Sequence, residues 1–433
     1  MNGAEKIEQL LAGTYVDPDT GRKVGVATRS LVIAPSLAGS EAELVLALGF
    51  GRKLVIVSDV TTHAVLGRRV ERALAGKAEI TSIVLPEGPH PDDVTVARIR
   101  RETAAADALI AIGSGTINDI CKYASAQDGK PYAVFATAPS MNGYTSVNAA
   151  ITMHGHKMSL SAQAALGVFF DLSILSAAPA RLIRSGLGDS LCRTTAEADW
   201  LLAHLFFDLP FRELPYELLK DDEGPLFAHA AELMAGDLAV MERLVRTLVL
   251  SGFGTAIVGN SQPASQGEHL ISHYIDMLGD ADRPLIYHGE QVGVTTLSMV
   301  RLQQRMLEEM PVVKPDTETE AGFKLRYGEE LGASCWGEFQ GKRIDEAKAD
   351  ALNQRIVSRW SAIRDRISAI LLPADHLEAV LTAAGSDLTP QSIHLPRPFY
   401  ETALRRCREI RNRYTFLDLA ANTGRLAGLV GSL

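Results

Sequence analysis

The sequence predicts an α/β fold: an N-terminal parallel-sheet domain followed by an all-helical C-terminal domain. Three observations carry this. Short apolar, β-branched runs ending in polar or glycine residues alternate with amphipathic helical stretches through the first 180 residues. From Arg181 onward, long Leu/Ala-rich stretches keep helical spacing and strand signals are scarce. The chain has 433 residues, 46% of them hydrophobic and 22% charged, an ordinary globular composition with room for two sizeable cores.

In chain order, LVIVSD (54–59) and TSIVLPEG (81–88) read as strands closing on polar or turn residues. ALIAIGSGTINDICKYAS (108–125) reads as strand, glycine turn and helix. YAVFATAPS (132–140) and ALGVFFDLSIL (165–175) are two further strand signals. THAVLGRRVERALAG and DDVTVARIRRETAAA, between the early strands, have amphipathic helical patterns. Continuous apolar strands with intervening helices indicate a parallel sheet covered on both faces. The second domain is read from SLCRTTAEADWLLAHLFF, ELMAGDLAVMERLVRTLVLSGFG and DEAKADALNQRIVSRWSAIRDRISAILL. The expected division is 1–180 and 181–433, with PVVKPDTETEAG (311–322) as an exposed loop.

Bulk properties exclude several function classes. A net charge of −9 and a pI near 5.7 argue against general affinity for nucleic acid or anionic lipid. Cys121, Cys192, Cys335 and Cys407 are far apart and form no CxxC pair, so neither a disulfide framework nor a zinc knuckle is expected. The N-terminal stretch lacks the pattern of a secretory signal, and no apolar run reaches the roughly 18 residues of a membrane span. The expectation is a soluble cytoplasmic protein.

Four places carry chemistry. In GSGT (113–116), directly after an apolar strand, the glycines allow a sharp turn and close approach of a ligand. The helix that follows offers amide groups and a positive dipole end suited to a pyrophosphate. The spacing is not GxGxxG, so a plain strand-to-helix turn is an equal reading. Asp59 ends a strand, where it can accept from ribose hydroxyls or cap the next helix. ATAPSMNGYTSVNAA (136–150) follows a strand, where α/β proteins place ligands. This makes Thr137, Ser140, Asn142 and Ser146 candidates for polar contacts.

The fourth place combines GLGDS with GEHLISHYIDM and HGEQVGV. Asp189 follows two glycines and reads as a helix N-cap. His269 and His273 stand four residues apart with helical spacing, and His288 follows in an expected loop. An HxxxH pair alone is more often core than metal. One carboxylate with two imidazoles, however, suits Zn²⁺, Ni²⁺ or Fe²⁺ with coordination left open for a substrate oxygen. Gly289 lets the His288 ring swing in, and Glu290 can orient a ring N–H. Arg184, Lys157 and Lys122 are weaker candidates for a phosphate subsite, each also readable as a surface charge. His154 and His156 form a second histidine pair, read as substrate-adjacent or exposed.

Taken together, GSGTINDICKYAS, TAPSMNGYTS, GLGDSLCRTTAEAD, GEHLISHYIDM and HGEQVGV resemble the glycerol-1-phosphate dehydrogenase family, in its bacterial AraM-like branch. That family lies within the iron-containing alcohol dehydrogenase and dehydroquinate synthase-like superfamily. CWGEFQGK (335–342) and REIRNRYTFLDLA (408–420) extend the resemblance over nearly the whole chain. It implies an N-terminal nucleotide-binding domain, a helical metal- and substrate-binding domain and an active site in the cleft between. It also implies NAD(H) or NADP(H), one divalent metal (Ni, Zn or Fe) and a homodimer. The reaction implied is interconversion of dihydroxyacetone phosphate and sn-glycerol 1-phosphate. By position, Asp189, His269 and His288 are metal ligands, and His273 faces substrate as a catalytic residue. Gly113, Ser114, Gly115, Thr116 and Ile117 cradle the pyrophosphate. Thr137, Ser140 and Ser146 contact the cofactor, Asp59 the ribose, and Asp119 lies near the reacting centre. One departure stands out: the family's SMDGY loop reads SMNGY here, so Asn142 replaces a substrate-contacting aspartate. Asparagine loses the charge and gains donors. That leaves open a related phosphorylated or phosphonylated ketone or a 2-oxo acid as substrate; apart from Asn142, the resemblance also leaves a dehydroquinate synthase-like cyclase as the alternative reaction.

Overall fold

The computed structural model describes residues 1–153, 156–280 and 282–433, with the side chains of His156 and Lys157 left aside. They form two compact units. The first comprises Met1–Ser190, Glu213–Ser261 and Ala383–Gly385. Its centre is a six-stranded sheet of β1 (Ser30–Ala34), β2 (Lys53–Asp59), β3 (Glu79–Leu85), β4 (Ala108–Gly113), β5 (Tyr132–Ala136) and β6 (Gly167–Asp171), in the order β1-β6-β5-β4-β2-β3. Every neighbouring pair is parallel. All residues of β4, β5 and β6 are buried, which is why these strands read as unbroken apolar runs. Leu54, Ile56, Ile110, Ile112, Phe135 and Phe169 form the core on one face, with the two phenylalanine rings 4.8 Å apart.

Five of the six strands were expected from the sequence. The sixth, β1, is an edge strand of intermediate exposure whose SLVIA run is short and bounded by Arg29 and Pro35. An antiparallel hairpin, Asn148–Met153 with His156–Ser161, emerges from a stretch too polar to signal strands. Several helices beyond residue 180 also pack in this unit, among them Leu214–Ala228 and Leu238–Val258. The units therefore divide the chain differently from a single cut at residue 180.

Three helices of this unit position the site. Helix α1 (Gly115–Asp128) follows β4; α2 (Ala180–Leu191) carries Asp189; α4 (Leu238–Val258) packs against the loop after β5. At its end, α2 leads directly into the second unit, which begins at Leu191 and opens with α3 (Arg193–Phe207).

The second unit comprises Leu191–Arg212, Gln262–Thr382 and Ser386–Leu433. Its described residues are helical or irregular, without strands. Ile271, Met299, Phe323, Phe339, Ile356 and Phe416 are among the side chains of its core. Helices α5 (Gly267–Leu278) and α6 (His288–Leu307) carry the three histidines. The segment 311–322 is not simply an exposed loop. Val313 is buried, and the Asn353 side chain bonds both its backbone N–H and its carbonyl at 2.8 Å. All four cysteines are buried, and none forms a disulfide. No described helix is long and apolar enough to cross a membrane.

Candidate active site

The nucleotide end of the first unit is built by β4 and α1. A Cβ at Gly113 would lie 2.6 Å from Ile117 Cβ, so only glycine lets the chain turn from strand into helix here. Ser114 takes the N-cap position in extended backbone, without its side chain capping. Ser114, Gly115 and Thr116 are half-buried, while Ile117 is buried and anchors the turn. This leaves a helix N-terminus of the kind that binds phosphate groups. Asp59 is an N-cap: its Oδ1 accepts from Thr62 N at 2.7 Å, and Thr62 Oγ1 accepts from Asp59 N at 3.0 Å.

Next to α1 runs the loop after β5. Thr137 and Ser140 are buried; Thr137 N donates to Gly113 O at 3.1 Å, and Ser140 O accepts from Ser185 Oγ at 3.0 Å. Lys122 holds this loop from below. It is fully buried, and its ammonium donates to Gly143 O, to Asn148 O at 3.0 Å and to Ser146 Oγ at 3.2 Å. Burial lowers its pKa to about 8, opposed by the Asp119 carboxylate 3.8 Å away. Lys122 is therefore neither a surface charge nor a phosphate ligand. Its charge was misread because nothing in the periodicity of α1 shows that the 142–148 loop covers it. Asp119 is itself buried and accepts from Ala150 N and Asn118 Nδ2, each at 3.1 Å. Arg184 is partly exposed; His154 lies outside the described residues, as do the side chains of His156 and Lys157.

Asp189 is not an N-cap. It sits in the last turn of α2, 5% exposed, and its Oδ2 accepts from Asn142 N at 2.9 Å. Gly186 lies inside the helix for a packing reason: a Cβ there would fall 1.7 Å from Pro139 O. The Asn142 side chain turns to α4, where its Nδ2 donates to Ser251 Oγ at 3.2 Å. Gly252 allows the close approach, since a Cβ there would fall 2.1 Å from Thr145 Oγ1 and 2.6 Å from Asn142 O.

In the second unit, α5 and α6 bring His269 and His288 together. Their Nε2 atoms are 3.2 Å apart, and the ring centroids 5.0 Å. The His273 ring, one turn along α5, lies 6.0 Å from that of His269. The two helices are tied by Gln291, whose Nε2 donates to Ser272 O at 2.9 Å and Ser272 Oγ at 2.7 Å. His288 opens a helix rather than sitting in a loop. Glu290 accepts from Tyr287 N at 3.1 Å, in the manner of a capping-box glutamate.

A carboxylate does meet a ligand-candidate imidazole, but it is Glu268, which sequence reasoning missed. Glu268 Oε1 lies 2.9 Å from His269 Nδ1. An acid in the first turn of a helix is common enough to hide this role. Glu268 also accepts from Gln266 N at 2.8 Å and Thr195 Oγ1 at 3.0 Å. Burial pushes its pKa up, but the hydrogen bond and charge of His269 and the backbone donors outweigh this and lower it. Nearby Asp199 goes the other way: burial and then the Glu268 charge raise it to about 8. Cys192, Glu268 and His269 also hold donor atoms within 4.8 Å of one another. Glu268 already has three protein donors, however, and Cys192 Sγ lies 3.7 Å from Ala264 O.

Two neutral imidazoles with Nε2 facing Nε2 repel unless a proton or cation lies between them. Two nitrogens about 2.1 Å from one tetrahedral metal would stand roughly 3.4 Å apart, and somewhat closer in octahedral geometry. The observed 3.2 Å fits that arrangement.

Comparison with known proteins adds a family context. Residues 32–179 match the family model for iron-containing alcohol dehydrogenases. The chain is 31% identical to glycerol-1-phosphate dehydrogenase (NAD(P)+) of Bacillus velezensis over 344 residues, covering 73% of this chain and 84% of that protein. It is 32% identical to the protein of the same name from Pyrococcus furiosus over 274 residues, 63% of this chain and 78% of that one. Among solved structures, glycerol dehydrogenase from Schizosaccharomyces pombe shares the fold, with TM-score 0.59, 15% identity and coverage of 91% of this chain and 88% of that one. So does sulfoacetaldehyde reductase from Bifidobacterium kashiwanohense in complex with NAD+, with TM-score 0.61, 14% identity and coverage of 93% and 96%.

Proposed function

Because the chain belongs to the glycerol-1-phosphate dehydrogenase family, we propose that it is a metal-dependent, NAD(P)H-linked oxidoreductase that reduces dihydroxyacetone phosphate to sn-glycerol 1-phosphate. The observation that carries this reading is the facing imidazole pair His269 and His288, with a carboxylate on the far side of one ring. Asp189, His269 and His288 hold the divalent ion in this proposal. Asp189 is a buried carboxylate already oriented by Asn142 N, the kind of donor that completes a two-imidazole set. When bound, the ion supplies Lewis-acid polarisation of a ketone, and the nicotinamide supplies the reducing equivalents.

The chain's own residues do the rest. The α1 N-terminus, 113–117, takes the pyrophosphate on its amides and dipole. Thr137, Ser140 and Ser146 lie along the adjoining loop as cofactor contacts. Asp59 can cap its helix and accept from the ribose with its remaining lone pairs. His273 relays a proton toward the new hydroxyl. Asp119 contributes near the reacting centre by holding Ala150 N. The phosphate subsite falls to residues other than Lys122, with Arg184 the remaining described candidate. The working form is a cytoplasmic homodimer.

Asn142 favours a second substrate class within the same chemistry. With a neutral side chain bonded to Ser251, the surroundings of Asp189 carry one negative charge fewer than an aspartate would give. A phosphonylated ketone or a 2-oxo acid, more anionic near the reacting carbon, fits that change. The test is NADH oxidation by metal-supplemented protein across phosphorylated and phosphonylated ketones, with Asn142→Asp in parallel. Net NADH consumption supports a reductase over a cyclase that regenerates its cofactor. Efficient reduction of dihydroxyacetone phosphate by the native chain removes the case for the second class. Absence of turnover with every ketone overturns the proposal.

A further inference from the structure

We infer that Glu268 is a positioning residue: its buried carboxylate fixes His269 as the Nδ1–H tautomer, so that Nε2 presents a lone pair toward His288 and a shared cation. The inference rests on the metal-binding reading of the two histidines.

Glu268 is fully buried, and as a carboxylate it can only accept. Gln266 N donates to the same oxygen that faces His269, and Thr195 Oγ1 lies 3.0 Å from the other. The 2.9 Å contact to Nδ1 therefore requires the proton on Nδ1. Neutral imidazole has one N–H, so Nε2 is left as an acceptor. The carboxylate is itself held. Gln266 N is in the turn entering α5, and Thr195 lies on α3, where its hydroxyl also bonds Cys192 O at 2.9 Å. Asp199, carried by the same helix, accepts from Gly267 N at 2.9 Å and fixes the first residue of α5. A carboxylate behind a ligating histidine raises ring basicity and orients the ring, and removing such a partner weakens metal binding about 10–100-fold.

The test is divalent-metal affinity of the full chain, measured with Zn²⁺ and Ni²⁺ by competition against a chromophoric chelator, for native protein, Glu268→Leu and His269→Ala. Leucine keeps about the size and removes the acceptor that faces Nδ1; far-UV circular dichroism checks the fold. The expected result is binding weakened about 10–100-fold in Glu268→Leu and further in His269→Ala. Unchanged affinity in a folded Glu268→Leu variant overturns the inference. Should native protein bind neither ion, the metal reading fails first, and the difference between the two failures is plain. A measurement free of any variant fold is ¹⁵N NMR of the native protein's histidine rings near neutral pH, with His269 assigned by its loss in His269→Ala. The Nδ1–H tautomer is expected; an Nε2–H tautomer at His269 overturns the inference.

Discussion

Gly252→Ala tests how the loop at Asn142 is held. The new methyl would fall 2.1 Å from Thr145 Oγ1 and 2.6 Å from Asn142 O, where real Cβ contacts stay above 3.0 Å. Asn142 O is backbone and must retreat by about 0.4 Å or more, an overpacking strain of about 1–3 kcal/mol. The buried Thr145 hydroxyl must rotate away from Val249 O, its acceptor at 2.9 Å, which costs about 1–3 kcal/mol if that bond is lost. Alanine returns about 1 kcal/mol through helix propensity. The net expectation is destabilisation of about 1–5 kcal/mol, read by urea unfolding followed by circular dichroism. Because the displaced loop carries the Asn142 N–H that holds Asp189, kcat/KM should also fall, by up to about 100-fold. Hydrogen exchange should rise over residues 137–148 and not elsewhere. Gly337→Ala is the control: it lies exposed in the helix Glu329–Gln340 with nothing within 4 Å of its added methyl. That variant should gain about 1 kcal/mol with activity unchanged. A Gly252→Ala protein as stable and active as Gly337→Ala would refute the reasoning.

Further outcomes follow from the buried charges. Lys122→Met leaves two carbonyls without their ammonium donor and should lower stability at neutral pH by about 1–3 kcal/mol, measured by the urea midpoint. Because the folded pKa of Lys122 lies near 8, below its usual 10.5, the unfolded chain binds more protons between those values. Native stability should therefore receive a rising contribution from Lys122 over that window, one that Lys122→Met abolishes. Asp199 has the opposite sign. Its folded pKa is raised from 3.8 to about 8, so its contribution is full below pH 3.8 and is lost as pH rises toward 8. Asp199→Asn should remove that downward slope from the pH dependence of the urea midpoint.

Much of the first unit was legible because its central strands are buried on both faces, which forces unbroken apolar runs such as ALIAI and YAVFA. The edge strand β1 lacked that signature because an edge needs less apolar sequence. The glycines of GLGDS looked like a turn before a capped helix. Instead α2 runs straight through them, and at Gly186 the cause is tertiary, the approach of Pro139 O. Local sequence cannot report a contact made by a residue nearly fifty positions away. The same limit hid Lys122, a charge whose cover is a distant loop, and Glu268, whose acid in a first turn had a sufficient local explanation. His269 and His288 were readable as residue types, but the placing of His288 at a helix start was not, since the irregular stretch before it carries few capping signals. Asn142 stood out only against a family pattern, and its bond to Ser251 gives that departure a structural partner.

The central claim is that this chain performs reduction at a site that depends on one divalent ion. Its most direct test is elemental analysis of purified protein run beside NADH oxidation with dihydroxyacetone phosphate, before exhaustive chelation, after it, and after return of Ni²⁺, Zn²⁺ or Fe²⁺. The account predicts one ion per chain, activity that disappears with the ion and returns with it, and no stoichiometric binding in a His269→Ala, His288→Ala double variant. A metal-free protein that keeps its full rate would contradict it.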